Sequence, residues 1–299
     1  QGAMLLTGPL AGFFAPESQR VVVEALAWRN IDFSGLLAWG LKDEEPPVSE
    51  ARLIDLGTMQ ATGMETYVNG KRAVTVAETS MTAGEFTWLM PSNLQFDSKG
   101  AVYDFTAYVP ETEEAALTVL QERGLDNVKG DGSAAWVWNA ETGVVDLDYV
   151  ANMEKFASFN ADVGFTGVKL DDIETAMNDG GAAGLLSNGA FRNFSLTLDD
   201  EEALDAVFAL AALQMGGTGE DLRASVPAMI RLMGAQAAQM NPRMTDYINA
   251  MAEFVSEGGS LRISAEPAEP VSFSALQANS ATAPQTLPDV VNLTVTHKP

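Results

Sequence analysis

Residues 133–170, SAAWVWNAETGVVDLDYVANMEKFASFNADVGFTGVKL, alternate between apolar and polar with a period of two that no helix uses. Val145, Leu147 and Tyr149, then Phe159, Ala161, Val163 and Phe165, fall on one side. Asp146, Asp148, Ser158, Asn160 and Asp162 fall on the other. Successive side chains of a strand point to opposite faces, so this stretch predicts strands with one dry and one wet face, joined at the NAETG turn. That pattern belongs to an antiparallel meander, because parallel strands are buried on both sides.

The same reading extends over most of the chain. RVVVEALAW (20–28), IDFSGLLAW (31–39), ARLIDLGTM (51–59), METYV (64–68), KRAVTVAET (71–79), AVYDFTAYV (101–109) and FSLTL (194–198) read as strands, as do SLRISAE (260–266), VSFSAL (271–276) and VVNLTVTH (290–297). Asn69-Gly70 between two such runs is a hairpin signal, since both residues tolerate positive φ. KDEEPPVSE (42–50) and QANSATAPQTLPD (277–289) read as polar connecting stretches.

Helical spacing dominates only residues 199–257. One helix is expected to open at Asp199, with Glu202 three residues on, and to bury Leu204, Val207, Phe208, Ala211 and Met215 before Gly216-Gly217. A second, capped by Ser225, carries Val226, Met229, Ile230, Met233, Ala237 and Met240. A third opens at Asn241-Pro242, carries Met244, Tyr247, Ile248, Met251, Phe254 and Val255, and ends at Gly258-Gly259. Residues 111–123 predict one further amphipathic helix. The expected fold class is α+β: a long curved antiparallel sheet packed on a C-terminal, Met-rich three-helix block. Residues 1–4 read as the scar of an expression tag, which makes Leu5 the expected start of the natural chain. A mostly β region, 5–125, precedes the meander, helices and last strands of 126–299, as a separate domain or as one continuous domain with it.

Chemistry is scarce. Seventeen Lys and Arg against 41 Asp and Glu give a formal charge of −24, which repels phosphate backbones and argues against a nucleic-acid partner or an anionic membrane surface. Without cysteine there are no disulfides and no thiolate metal sites, which fits a periplasmic or otherwise exported protein, although cytosolic proteins can also lack Cys. The one histidine, His297, reads as a frayed terminal residue and leaves His-based triads and metal sites without a base or ligand. GDGSAA (130–135) meets the loose dinucleotide spacing but opens a strand, so a phosphate would find no helix N-terminus there. No apolar run reaches membrane-spanning length. No cofactor or metal is expected. Strand tryptophans, Trp136 with Trp138 and Trp28 with Trp39, read as core in preference to sugar platforms.

The order of meander, Met-rich helices, GGSLRIS (258–264) and a terminal NLTV (292–295) is similar to uncharacterised exported proteins of alphaproteobacteria. More loosely, the many-stranded sheet with amphipathic helices resembles the AsmA-type envelope proteins, a resemblance that implies lipid handling. The first expectation is therefore a non-enzymatic envelope protein holding a lipid-like or other apolar ligand between sheet and helices. Its expected lining is Met229, Met233, Met240, Met244, Tyr247, Met251 and Phe254, because Met adapts to varied apolar surfaces. A protein–protein or scaffold module of the envelope is the alternative. A hydrolase using two carboxylates on a glycan stands third.

Overall fold

The computed structural model describes residues 18–47, 50, 53–172 and 188–299. The predicted tag scar and the apolar stretch 5–16 lie outside them. Eleven strands form one antiparallel sheet: β1 (Gln19–Arg29), β2 (Gly57–Val68), β3 (Lys71–Thr87), β4 (Met90–Tyr103), β5 (Val128–Asn139), β6 (Val144–Met153), β7 (Ala157–Thr166), β8 (Ala190–Asp200), β9 (Gly259–Ala265), β10 (Val271–Ser272) and β11 (Leu293–Lys298). Neighbours follow the chain from β1 to β9, β11 lies outside β9, and β10 pairs with β8 beyond the end of β9. The sheet is open and curved, so the α+β class read from the sequence is the fold. Because β4 pairs with β5, the sheet runs on through the 125/126 boundary.

The wet-and-dry alternation holds across the meander. Trp136, Leu147, Val163 and Phe194 stand in one cross-strand row, and Ala134, Tyr149, Ala161, Leu196 and Ile263 in the next. Between them, on the opposite face, run Ala135, Asp148, Asp162, Ser195 and Ser264. The Asn69-Gly70 hairpin forms as expected, with φ of 51° and 83°.

One feature of the first four strands has no counterpart in the alternation. The ladder skips Glu24 opposite Gly63, Gly63 opposite Ala77, and Ala77 opposite Gly100, all in register. Gly63 and Gly100 take φ of +60° and +63°, which L side chains rarely adopt. The kink crosses four strands and ends in a bulge between Ser98 and Ala101 against β5, where Gly100 N–H donates to the Asp131 carboxylate at 2.7 Å. Each strand changes phase at the kink. Leu26 and Trp28 on one side of it, and Val21 and Val23 on the other, therefore share the apolar face, as do Phe96 and Ala101.

Helices close both ends of the sheet. α1 (Ser34–Gly40) replaces the strand expected at 31–39. AVYDFTAYV leaves the sheet after Tyr103 and turns into a short 3₁₀ helix, Phe105–Tyr108, opened by Asp104 accepting from Thr106 N–H at 2.9 Å. α2 (Glu114–Glu122) and α3 (Ala203–Met215) bury Ala116, Leu120, Ala206 and Leu210 against Val109, Leu125 and Val128. At the other end Trp138 and Val145 form a core with Met90, Phe165 and Val168. α4 (Gly219–Met240) opens at Thr218, whose hydroxyl accepts from Asp221 N–H, and Ser225 lies inside it. The cap expected at Ser225 is thus seven residues late: Thr218 supplies the same hydroxyl, with acids already in the first turn. α5 (Arg243–Glu257) follows Asn241-Pro242 as expected, with Asn241 Oδ1 accepting from Arg243 N–H at 3.0 Å. VSFSAL is not a strand beyond Ser272. Its hydroxyl caps α6 (Phe273–Thr282), and α7 (Leu287–Val290) takes up the rest of the stretch read as polar connection.

Candidate functional site: the bare apolar face of the sheet

The helices cover the apolar face unevenly. α5 packs Tyr247 and Phe254 on the β9 and β11 edge, where the Tyr247 hydroxyl donates to Leu293 C=O and the Phe254 ring lies 6.3 Å from the His297 ring. α2 and α3 cover one end near Tyr103 and Met153. Between these caps, Phe96 and Tyr149 each remain 43% exposed, and Leu147 is open beside them. Small residues floor this region: Ala134 lies between Phe96 and Tyr149 in the cross-strand row, and Gly132, Ala151 and Ala161 lie around it. Tyr149 and Phe159 meet edge to face with centroids 5.6 Å apart, which holds both rings upright on the floor. The bare face continues through Met59, Met81 and Leu26 to Trp28, whose indole N–H donates to Leu56 C=O at 2.6 Å. The result is a long apolar trough with its backbone groups paired inside the sheet.

The seven residues expected to line a ligand cleft divide between two environments. Tyr247 and Phe254 are buried in the α5 interface, and Met244 is half-buried near them. Met229, Met233, Met240 and Met251 face outward, Met233 at 76% and Met240 at 62% exposure. α4 reaches α5 instead through Gly234, where a methyl group would stand 2.3 Å from Ile248 Cδ1. The methionine stripe thus lies on the outside of the helical block, because small residues make the close helix–helix approach.

The polar face carries its own network. Arg192 pairs with Asp146, Asn193 donates to Asp162 at 2.7 Å, Ser195 donates to the other Asp162 oxygen, and Ser158 donates to Asp199 at 2.9 Å. Two open depressions, of about 490 and 500 Å³, flank Gly100 on this face, lined by Glu24, Glu65 and Thr75 and by Asp97, Asp131 and Asn152. They follow the kink, where Gly63, Gly100 and Gly132 contribute no side chain. Among the described residues, no three acids or histidines are grouped to hold a metal ion. His297 is not frayed: its side chain is 3% exposed and its Nε2 lies 2.8 Å from Gly258 C=O, so it ties the last strand to the end of α5. Trp136 and Trp138 share a face, as their spacing requires. Trp138 is buried with its indole N–H on Val168 C=O at 2.7 Å, which makes that pair core.

Sequence reasoning missed β4 over residues 90–100, and with it Leu94 and Phe96. The signal was present, because Leu94 and Phe96 alternate with Asn93, Gln95 and Asp97. A family model described as "Uncharacterized protein" matches residues 150–298, from the middle of β6 through the helical block to β11. No curated protein matches the chain. No helix among the described residues is long and apolar enough to cross a membrane.

Proposed function

We propose that this chain is a non-enzymatic binding protein that holds the acyl portion of a lipid-like ligand along the bare apolar face of its sheet. The observation that carries this reading is the open aromatic pair Phe96 and Tyr149, standing over an alanine and glycine floor on a face with no covering helix among the described residues. Removing a methylene group from water stabilises by about 0.8 kcal/mol, so a chain laid along such a surface gains affinity without any polar contact. At ~4.8 Å per strand the face spans roughly 34 Å from β1 to β8. That exceeds the reach of one acyl chain, roughly half of a ~30 Å bilayer core. An exported, periplasmic setting accords with the absence of cysteine. Native mass spectrometry of the purified protein, with organic extraction of what it carries, tests the reading. Co-purified amphiphile and quenching of tryptophan fluorescence by a brominated acyl chain are expected. A protein that carries nothing and is not quenched overturns it.

A second reading, an interaction module, is favoured by the outward stripe of Met229, Met233 and Met240 on α4, since exposed Met-rich faces accept varied apolar partners. Crosslinking through cysteines placed at Met233 and Met240 tests it. Recovery of no partner would remove it.

A further inference from the structure

The charges of this protein are sorted by face. Among the described strands, Arg20, Arg29, Arg72, Lys99, Lys129, Arg192, Arg262 and Lys298 stand on the polar face, opposite the trough. Several are already engaged: Arg192 with Asp146, Arg262 with Glu266, and Arg20 over the Tyr67 ring at 4.2 Å. Lys71, at the tip of the β2–β3 hairpin, pairs with Glu111 at 3.5 Å. Arg52 is the single cation in the stretches outside the described residues. At the trough's end a carboxylate, Asp200, lies across from Ala157, with Arg223 of α4 beside it and paired with Asp205. The molecule as a whole carries a formal charge of −24.

An anionic headgroup brought to this trough would meet no strand cation on the apolar face, only Arg223 of α4, already engaged with Asp205 and Val255 C=O, and a net repulsive field around it. An uncharged headgroup meets neither penalty, while the acyl chain gains the same apolar contact in both cases. We infer that the trough discriminates by headgroup charge and takes uncharged amphiphiles in preference to anionic ones carrying the same chain. This inference rests on the proposed acyl-binding function and adds the class of ligand to it.

The test uses the whole chain and the uncharged fluorescent probe 1-N-phenylnaphthylamine. The probe is displaced by monoolein or by oleate, which share one acyl chain and differ in charge, each below its aggregation concentration. At low salt and neutral pH, oleate should require a concentration on the order of tenfold higher than monoolein. Added salt should narrow that ratio by screening. Tyr149→Lys, which places a cation on the open floor, should narrow it at low salt, with circular dichroism confirming the fold. Equal displacement by the two competitors at low salt overturns the charge discrimination and leaves acyl binding standing. A ratio that ignores both salt and Tyr149→Lys overturns its electrostatic origin. Failure of the probe to bind at all overturns both readings.

Discussion

Glu24 and Gly63 face each other across β1 and β2 with no room for a methyl group between them. A Cβ on Gly63 would stand 2.5 Å from the Glu24 carboxylate and 2.8 Å from its Cβ, and the glycine holds φ at +60°. Gly63→Ala should therefore destabilise by about 1–3 kcal/mol, through backbone strain and the clash together. Adding Glu24→Ala should recover only part of that loss, because the strain remains. Urea denaturation of the two single variants and the double gives both terms. A neutral Gly63→Ala would mean that the kink is not a fixed element of the sheet.

The methionine stripe and the α5 core should respond in opposite ways. Met233→Lys changes a residue that is 76% exposed, so stability should move by no more than ~0.5 kcal/mol. Phe254→Ala empties a buried position between α5 and His297 and should cost about 3–5 kcal/mol. Thermal unfolding of the pair decides it. Comparable losses in both variants would place the stripe inside the fold.

These contrasts locate what the sequence made legible. The alternation of Val145, Leu147 and Tyr149 specified a meander, because only one face of those strands is dry. The Met229 and Met233 spacing specified a helix but not its outward side, since helical periodicity says which residues share a stripe and nothing about what lies opposite. That side was set by Gly234 against Ile248, a contact between helices far apart in periodic phase. The kink was hidden for a related reason: Gly63 and Gly100 acquire meaning only when register sets them in one row with Glu24 and Ala77. Helix α6 was hidden by composition, because its Ser, Ala and Asn residues carry no apolar stripe.

Two carboxylates should give opposite pH signatures. The Tyr67 hydroxyl, and then Arg72, hold the Glu65 carboxyl below its ordinary value of 4.5. Its contribution is therefore present above pH 4.5 and lost as pH falls through the lowered folded value. Glu65→Gln should be less stable than the parent at neutral pH and converge with it in acid. Burial holds the Asp200 carboxyl above its ordinary 3.8, although Leu204 N–H and Arg223 pull it down. Its contribution is fully present below pH 3.8 and is lost as pH rises through the raised value. Asp200→Asn keeps an acceptor for Leu204 N–H and should gain on the parent as pH rises from 3 to 7. Denaturation midpoints across that range check both, and slopes of the same sign would contradict the two environments.

Filling the floor separates the trough from the core. Ala134 lies in the open row between Phe96 and Tyr149, with no helix of the described residues above it, so Ala134→Trp has space to project outward and should leave the melting temperature nearly unchanged. Its indole would occupy the volume assigned to the acyl chain, and 1-N-phenylnaphthylamine binding should weaken about tenfold, or by ~1.4 kcal/mol. Ala101 shares the same face but is 1% exposed near the kink, so Ala101→Trp overpacks a closed site and should cost about 1–3 kcal/mol or more. Probe titration and thermal melts on both variants give four values. An Ala134→Trp protein that melts as the parent does and binds the probe equally well would exclude this part of the face as the ligand's seat.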